Sequence, residues 1–151
     1  MPEFVRNAIA GIVLTLILTG YITSEDQIIG DVSSMDLDLL SACMQLENGN
    51  NGDRCLLLTG SVVLNRAYYC SWCPNTIKGV LYQKGQYAKL TVDNLTSVLV
   101  PERTRMLAKY LLVYGPICPK NVMYQSQQKN LGHGHFDIID TPDGPEYFAF
   151  E

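Results

Sequence analysis

The apolar residues of this chain change their spacing after about residue 114, and that change limits the fold more than any other feature. Before it they recur every three or four positions, the spacing of one helix face. After it, Val122, Tyr124, Phe136, Ile138, Tyr147, Phe148 and Phe150 fall in short runs rich in β-branched and aromatic residues, as strands do. The expectation is an α+β chain, mainly α, with helices first and a small antiparallel sheet at the C-terminal end. A length of 151 residues suits one domain with a real core.

Ser33 or Ser34 can cap a first helix over about 35–47, with Leu39, Leu40, Cys43, Met44 and Leu46 at helical spacing. The run ENGNNGD should end it, because Asn and Gly favour turn conformations. A second helix is expected over about 53–69, with Cys55, Leu58, Val62 and Val63 roughly along one side, apolar enough to be largely buried. Pro74-Asn75 opens a short helical stretch to about Tyr82, and Lys84-Gly85-Gln86 reads as a loop. Pro101 stands at a natural first-turn position for a helix over about 102–114, which Gly115-Pro116 stops. Thr141-Pro142-Asp143-Gly144 is a turn between two strands.

Residues 1–27 differ from the rest. Ala8 to Ile22 carries no charge, with Glu3 and Arg6 before it. The run has about the length of a secretory apolar region and is short for a membrane span. It reads as an export signal or membrane anchor, with membrane association through residues 8–22; a buried core helix is the other reading. Residues 28–151 are then the working domain, entered through a linker at 28–35. The chain would be secreted or membrane-anchored. A net charge of -4 and the lack of any Lys/Arg block exclude the electrostatic footprint of a nucleic-acid binder.

Five cysteines occur, at 43, 55, 70, 73 and 118, so at least one thiol is left over from pairing within the chain. Cys70 and Cys73 form a C-S-W-C unit. A disulfide-stapled loop, free thiols, a redox dithiol and half of a zinc site are all chemically open to it. A second C-x-x-C is missing, and His133 and His135 could complete a metal set only by converging on it. Neither a metal nor an organic cofactor is expected. A Cys/His nucleophile pair has no local signature here.

The most specific stretch lies between Leu40 and Tyr87. A glutamate, Glu47, ends the first helix and leads into the Asn/Gly turn NGNNGD. The segment GSVVLNR follows on the second helix, and then PNTIKGVLYQKGQY. These three pieces, in this order and at this spacing, resemble the SleB-type cell-wall hydrolases, the family that includes spore-cortex-lytic enzymes. A weaker likeness continues through LVYG and PKNVMYQ. The resemblance implies a lysozyme-like fold. It also implies cleavage of the β-1,4 bond between N-acetylmuramic acid and N-acetylglucosamine in peptidoglycan, by hydrolysis or lytic transglycosylation, during wall remodelling, lysis or spore germination. The family's catalytic glutamate maps onto Glu47.

The residues themselves fit that chemistry. Cutting a glycosidic bond requires protonating the leaving oxygen, so the acid must hold a proton near working pH. A glutamate at the carbonyl end of an apolar helix is disfavoured as an anion by burial and by the unpaired carbonyls. Asp53, Asp93, Glu102 and Asp137 are the candidates for a second carboxylate, and none is singled out by spacing. One glutamate acting as acid and then base is the simpler scheme. Asn65 and Arg66 end the second helix and either contact substrate or tie the helix end. Gln83, Gln86 and Tyr87 match the family's Y-Q-x-x-Q-F/Y unit and offer amides and a ring to sugars, or brace their loop. Tyr124 and Gln125 lie on an expected strand that could form the opposite wall of a groove.

The chain departs from the family in three places. Asn48 follows Glu47 where a small residue, often alanine, is usual. The C-S-W-C loop replaces a plain polar connection. Tyr124-Gln125-Ser126-Gln127 stands where many relatives carry aromatic–Asn–Pro. A second reading, from another class, is therefore a catalytically silent peptidoglycan-binding module.

Overall fold

Ser33 accepts a hydrogen bond from the Asp36 amide at 3.4 Å and starts helix α1, Ser34–Asn48. The computed structural model describes residues 32–87 and 90–151. The expected export or anchor segment, 1–27, lies outside the described residues. Leu40, Cys43 and Met44 are fully buried on α1, one helical turn apart or adjacent, as their spacing requires. The α1 helix ends at Gly49, and a short Asn-rich turn leads into α2, Gly52–Tyr69.

Helix α2 is the centre of the domain. Asp53 and every residue from Cys55 to Ala67 are buried, so the helix is packed nearly all round, in line with a helix apolar enough to be largely buried. Its buried hydroxyls, Thr59 and Ser61, find partners within the helix or on a neighbouring segment. Thr59 donates to the Cys55 carbonyl at 2.8 Å. Ser61 donates to the Leu57 carbonyl at 2.7 Å and accepts from the Ile117 amide at 3.0 Å. Gly60 lets the helices approach closely: a Cβ there would collide with Leu111 Cδ1 and come within 2.8 Å of Met44 Sδ.

Thr76 caps the short helix α3, Ile77–Leu81, and Thr91 caps α4, Val92–Ser97. The α4 helix is absent from the sequence reading; its single buried residue, Leu95, gives it no periodicity to detect. Helix α5, Glu102–Tyr114, has the expected bounds, with Pro101 in the cap position just before it. It buries Leu107, Ala108 and Leu111. Gly115, at φ 86°, takes the chain out of the helix in a conformation that suits glycine.

The C-terminal third forms an antiparallel sheet of β1, Val122–Ser126, β2, His135–Thr141, and β3, Gly144–Phe150. The order is β1-β3-β2, so the last strand lies in the middle. Pro142-Asp143 forms the hairpin turn, with Thr141 opposite Gly144. Phe148 is fully buried and joins Val122, Cys118 and the α2 residues Cys55, Leu58 and Val62 in one cluster. Among the described residues the architecture is thus α+β, five helices and a small antiparallel sheet, with α2 between the helices and the sheet.

Among the described residues no helix is long and apolar enough to cross a membrane.

Candidate functional site

The carbonyl end of α1, the flank of α2 and the inner side of the sheet enclose a cleft of about 780 Å³. Glu47, Asn48 and Asn51 form one wall, from the end of α1 and the turn after it. Val62 and Arg66 on α2 line it further along, and Trp72, Gly85, Gln86 and Tyr87 complete that side. The facing wall is Tyr124 to Gln128 at the end of β1, with Leu131, Asp143 and Glu146.

Glu47 is half-buried in the last turn of α1, and its Oε1 is shut off from solvent. The next residue fixes this turn. Asn48 is almost wholly buried; its Nδ2 donates to Thr59 Oγ1 at 2.8 Å, and its Oδ1 accepts from Asn51 Nδ2 at 2.6 Å. The Asn48 amide is therefore a bolt between the end of α1 and α2.

Arg66 is only 4% exposed, an unusual place for a guanidinium. Its NH2 donates to Gln86 Oε1 at 2.5 Å and to Gln83 Oε1 at 3.4 Å. Its central carbon lies 5.4 Å from the Trp72 ring centroid and 5.7 Å from that of Tyr87, within cation–π range of both. Arg66 thus gathers the loop of Gln83 to Tyr87 and the Cys70–Cys73 loop around one charge. Burial pushes the Tyr87 phenol above its ordinary range; the nearby Cys43 and Glu47 add to this, and Arg66 opposes it.

Of the residues expected at the site, the structure brings Glu47, Arg66, Gln86, Tyr87, Tyr124 and Gln125 to one cleft. Gln125 presents a buried Oε1 there. Gln83 stands behind this set, as a partner of Arg66 rather than a lining residue. Asn65 is placed elsewhere. It is fully buried, and its Nδ2 donates to the Pro119 carbonyl at 2.8 Å and the Val122 carbonyl at 3.0 Å. Of the two readings its sequence position allowed, the geometry favours the tie: Asn65 fastens α2 to the start of β1 and does not reach the cleft.

The four aspartates and glutamates considered as second carboxylates are also placed elsewhere. Asp53 pairs with Arg103 at 2.6 Å, and Asp137 with Arg54 at 2.7 Å. Asp93 and Glu102 are exposed in the first turns of α4 and α5. The carboxylate that does line the cleft with Glu47, and is buried, is Glu146 on β3. Strand alternation held the clue: Glu146 shares parity with Phe148 and Phe150, so a buried Phe148 turns Glu146 inward too. Asn51, Trp72, Gln127 and Gln128 are further lining residues that sequence reasoning passed over.

A disulfide joins Cys70 to Cys73, the stapled-loop reading of C-S-W-C. Cys43, Cys55 and Cys118 are buried and take part in no disulfide. Burial raises the Cys43 thiol well above its ordinary value, reinforced by Glu47, and raises Cys55 to about 12, reinforced by Glu146 and Asp137. Thiols so placed stay protonated and are poor nucleophiles. His135 bonds the Lys129 carbonyl at 2.7 Å and packs on Tyr147, with ring centroids 4.8 Å apart. Among the described residues no three His, Cys, Asp or Glu side chains converge as a metal site would require.

No protein-family model, curated protein or solved structure matches this chain, so the functional reading rests on the cleft and its residues.

Proposed function

We propose that this chain cleaves the glycan strands of peptidoglycan at the β-1,4 bond between N-acetylmuramic acid and N-acetylglucosamine, with Glu47 as the acid. The observation that carries the reading is the position of Glu47: a carboxyl with one oxygen out of water, on the wall of a cleft that also presents amides, a hydroxyl and aromatic rings. A carboxyl removed from bulk water holds its proton more readily than an exposed one, and a helix's carbonyl end works in the same direction. The rest of the cleft suits a sugar polymer. Gln86, Gln125, Gln127, Gln128, Asn51 and Ser126 offer hydrogen bonds to hydroxyl and acetamido groups, and Tyr87 and Tyr124 offer ring faces.

In this scheme Glu47 gives its proton to the leaving glycosidic oxygen. The carboxylate then takes a proton from the nucleophile, which is water or the muramic acid 6-hydroxyl. Water gives a reducing end; the 6-hydroxyl gives an anhydro sugar. Glu146 places a second carboxylate in the same cleft, where it can stabilise developing positive charge on the sugar or help to orient water. Arg66, held by Gln83, Gln86 and the two rings, shapes the cleft and does not itself transfer protons. The domain is read as lysozyme-like, delivered to the wall by the apolar segment at its start.

Mass spectrometry of the muropeptides released from purified peptidoglycan tests this directly. Soluble disaccharide peptides are expected, with reducing or anhydro ends identifying the nucleophile. Binding to wall with no release of fragments would replace the reading with that of a silent binding module.

A further inference from the structure

Trp72 is the chain's only tryptophan, and nothing in the chemistry above uses it. It stands between two cysteines joined to each other, so the loop that carries it closes after four residues, Cys70 to Cys73. A loop of this size has few conformations, and the side chain it carries starts from a restricted set. Two further contacts fix the ring. Its Nε1 donates to Glu151 Oε1 at 2.5 Å, and the Arg66 guanidinium lies over it at 5.4 Å. The ring nonetheless stays 46% exposed while lining the cleft that holds Glu47.

An exposed tryptophan is costly to keep out of a core, and one held by a disulfide, a hydrogen bond and a buried cation is not loose surface. We propose that Trp72 is a stacking platform for a sugar ring of the glycan strand at the rim of the cleft, positioned by the Cys70–Cys73 staple. The proposal rests on the glycan reading of the cleft. The apolar face of an N-acetylhexosamine ring matches an indole face in size. The Arg66 cation beneath leaves the indole with one face committed to the protein and the rest toward solvent. The indole N–H is already spent on Glu151, so the contact with sugar is through the ring and selects for a flat CH-bearing face. Pre-fixing the ring removes the ordering cost at binding, which is what distinguishes a built platform from an incidental aromatic.

Because no other tryptophan is present, its fluorescence reports this site alone. The test uses the full chain carrying Glu47→Gln, titrated with peptide-free peptidoglycan glycan strands and separately with the N-acetylglucosamine tetramer. A saturable change in tryptophan emission is expected with either probe. In the otherwise wild-type chain, Trp72→Ala should raise KM for wall digestion about ten-fold with kcat within about two-fold, and Trp72→Phe, which keeps a ring but no N–H, should recover most of that loss. The Cys70→Ser, Cys73→Ser double variant should raise KM in the same direction. Thermal melting of each variant checks that it is folded. Emission that ignores both probes, or an unchanged KM in folded Trp72→Ala while the wild type digests wall, overturns the platform and leaves the glycan reading standing. If the wild type digests nothing but its emission still saturates with glycan strands, the catalytic reading fails and the platform survives.

Discussion

Asn48 Nδ2 donates to Thr59 Oγ1 at 2.8 Å, and this bond holds the end of α1, with Glu47 beside it, against the middle of α2. In sequence Asn48 is one polar residue of an Asn/Gly turn. In the structure it is a buried side chain with a partner at each end, Thr59 and Asn51. Asn48→Ala removes both bonds, while Thr59 keeps its own bond to the Cys55 carbonyl. The expected cost is about 1–2 kcal/mol of stability, at the lower end for a buried hydrogen bond. Wall-clearing activity should fall with it because the Glu47 turn is released. Thermal melting alongside a turbidity assay measures both, and a variant with unaltered melting and activity would show that the bolt is idle.

Arg66 supplies the second test. Lysine in its place keeps the charge but not the planar fork that serves Gln86 and Gln83 or the flat group between two rings. Arg66→Lys should destabilise the domain by about 1–3 kcal/mol, the range for losing hydrogen bonds to a buried charged group. Gln86→Ala, which removes one acceptor, should cost less. If urea unfolding ranks the two the other way, the hub role given to Arg66 is wrong.

Gly60 sets how closely the helices pack. A methyl group there would meet Leu111 Cδ1 and Met44 Sδ. Alanine favours helix by about 0.5–1 kcal/mol over glycine. Overpacking a core costs about 1–3 kcal/mol. The steric term should win, so Gly60→Ala should lower Tm. A raised Tm would mean that Leu111 and Met44 move aside freely.

The buried thiols make a pH prediction. The folded domain holds the Cys55 proton up to about 12, whereas a thiol in the unfolded chain has the ordinary value of 9.0. The folded-state value is raised, so below 9 both states are protonated and the contribution of Cys55 to stability is complete. Stability is then lost progressively as pH rises from 9 towards 12, where the unfolded chain gains from ionising and the folded one does not. Denaturant unfolding at stepped pH should show this decline, and Cys55→Ala should flatten part of it. In native protein at pH 8, Cys43, Cys55 and Cys118 should resist a thiol reagent and react only in denaturant, while Cys70 and Cys73 react only after reduction.

The helices α1, α2 and α5 were legible because their apolar residues repeat at one spacing and their ends carry serine, asparagine, glycine or proline signals. The α4 helix was not, because six residues with one buried side chain have no period. The hairpin was legible in Thr141-Pro142-Asp143-Gly144, but the strand order was not: β3 lies between β1 and β2, a matter of tertiary pairing that no local run encodes. The site followed the same division. Glu47, Gln86 and Tyr87 come from contiguous motifs. Glu146 reaches the cleft only because β3 pairs in the middle of the sheet, and Asn65 misses it because its amide is taken up by the Pro119 and Val122 carbonyls.

In the proposed reaction one carboxyl at the end of α1 protonates a glycosidic oxygen. Glu47→Gln keeps the size of the side chain and removes the titrating proton, so clearing of a purified peptidoglycan suspension by this variant is the most direct measurement. The rate should fall at least about a hundred-fold, the contribution expected of a general acid, with melting temperature and binding to wall retained. A folded Glu47→Gln protein that clears the suspension at the wild-type rate would contradict it.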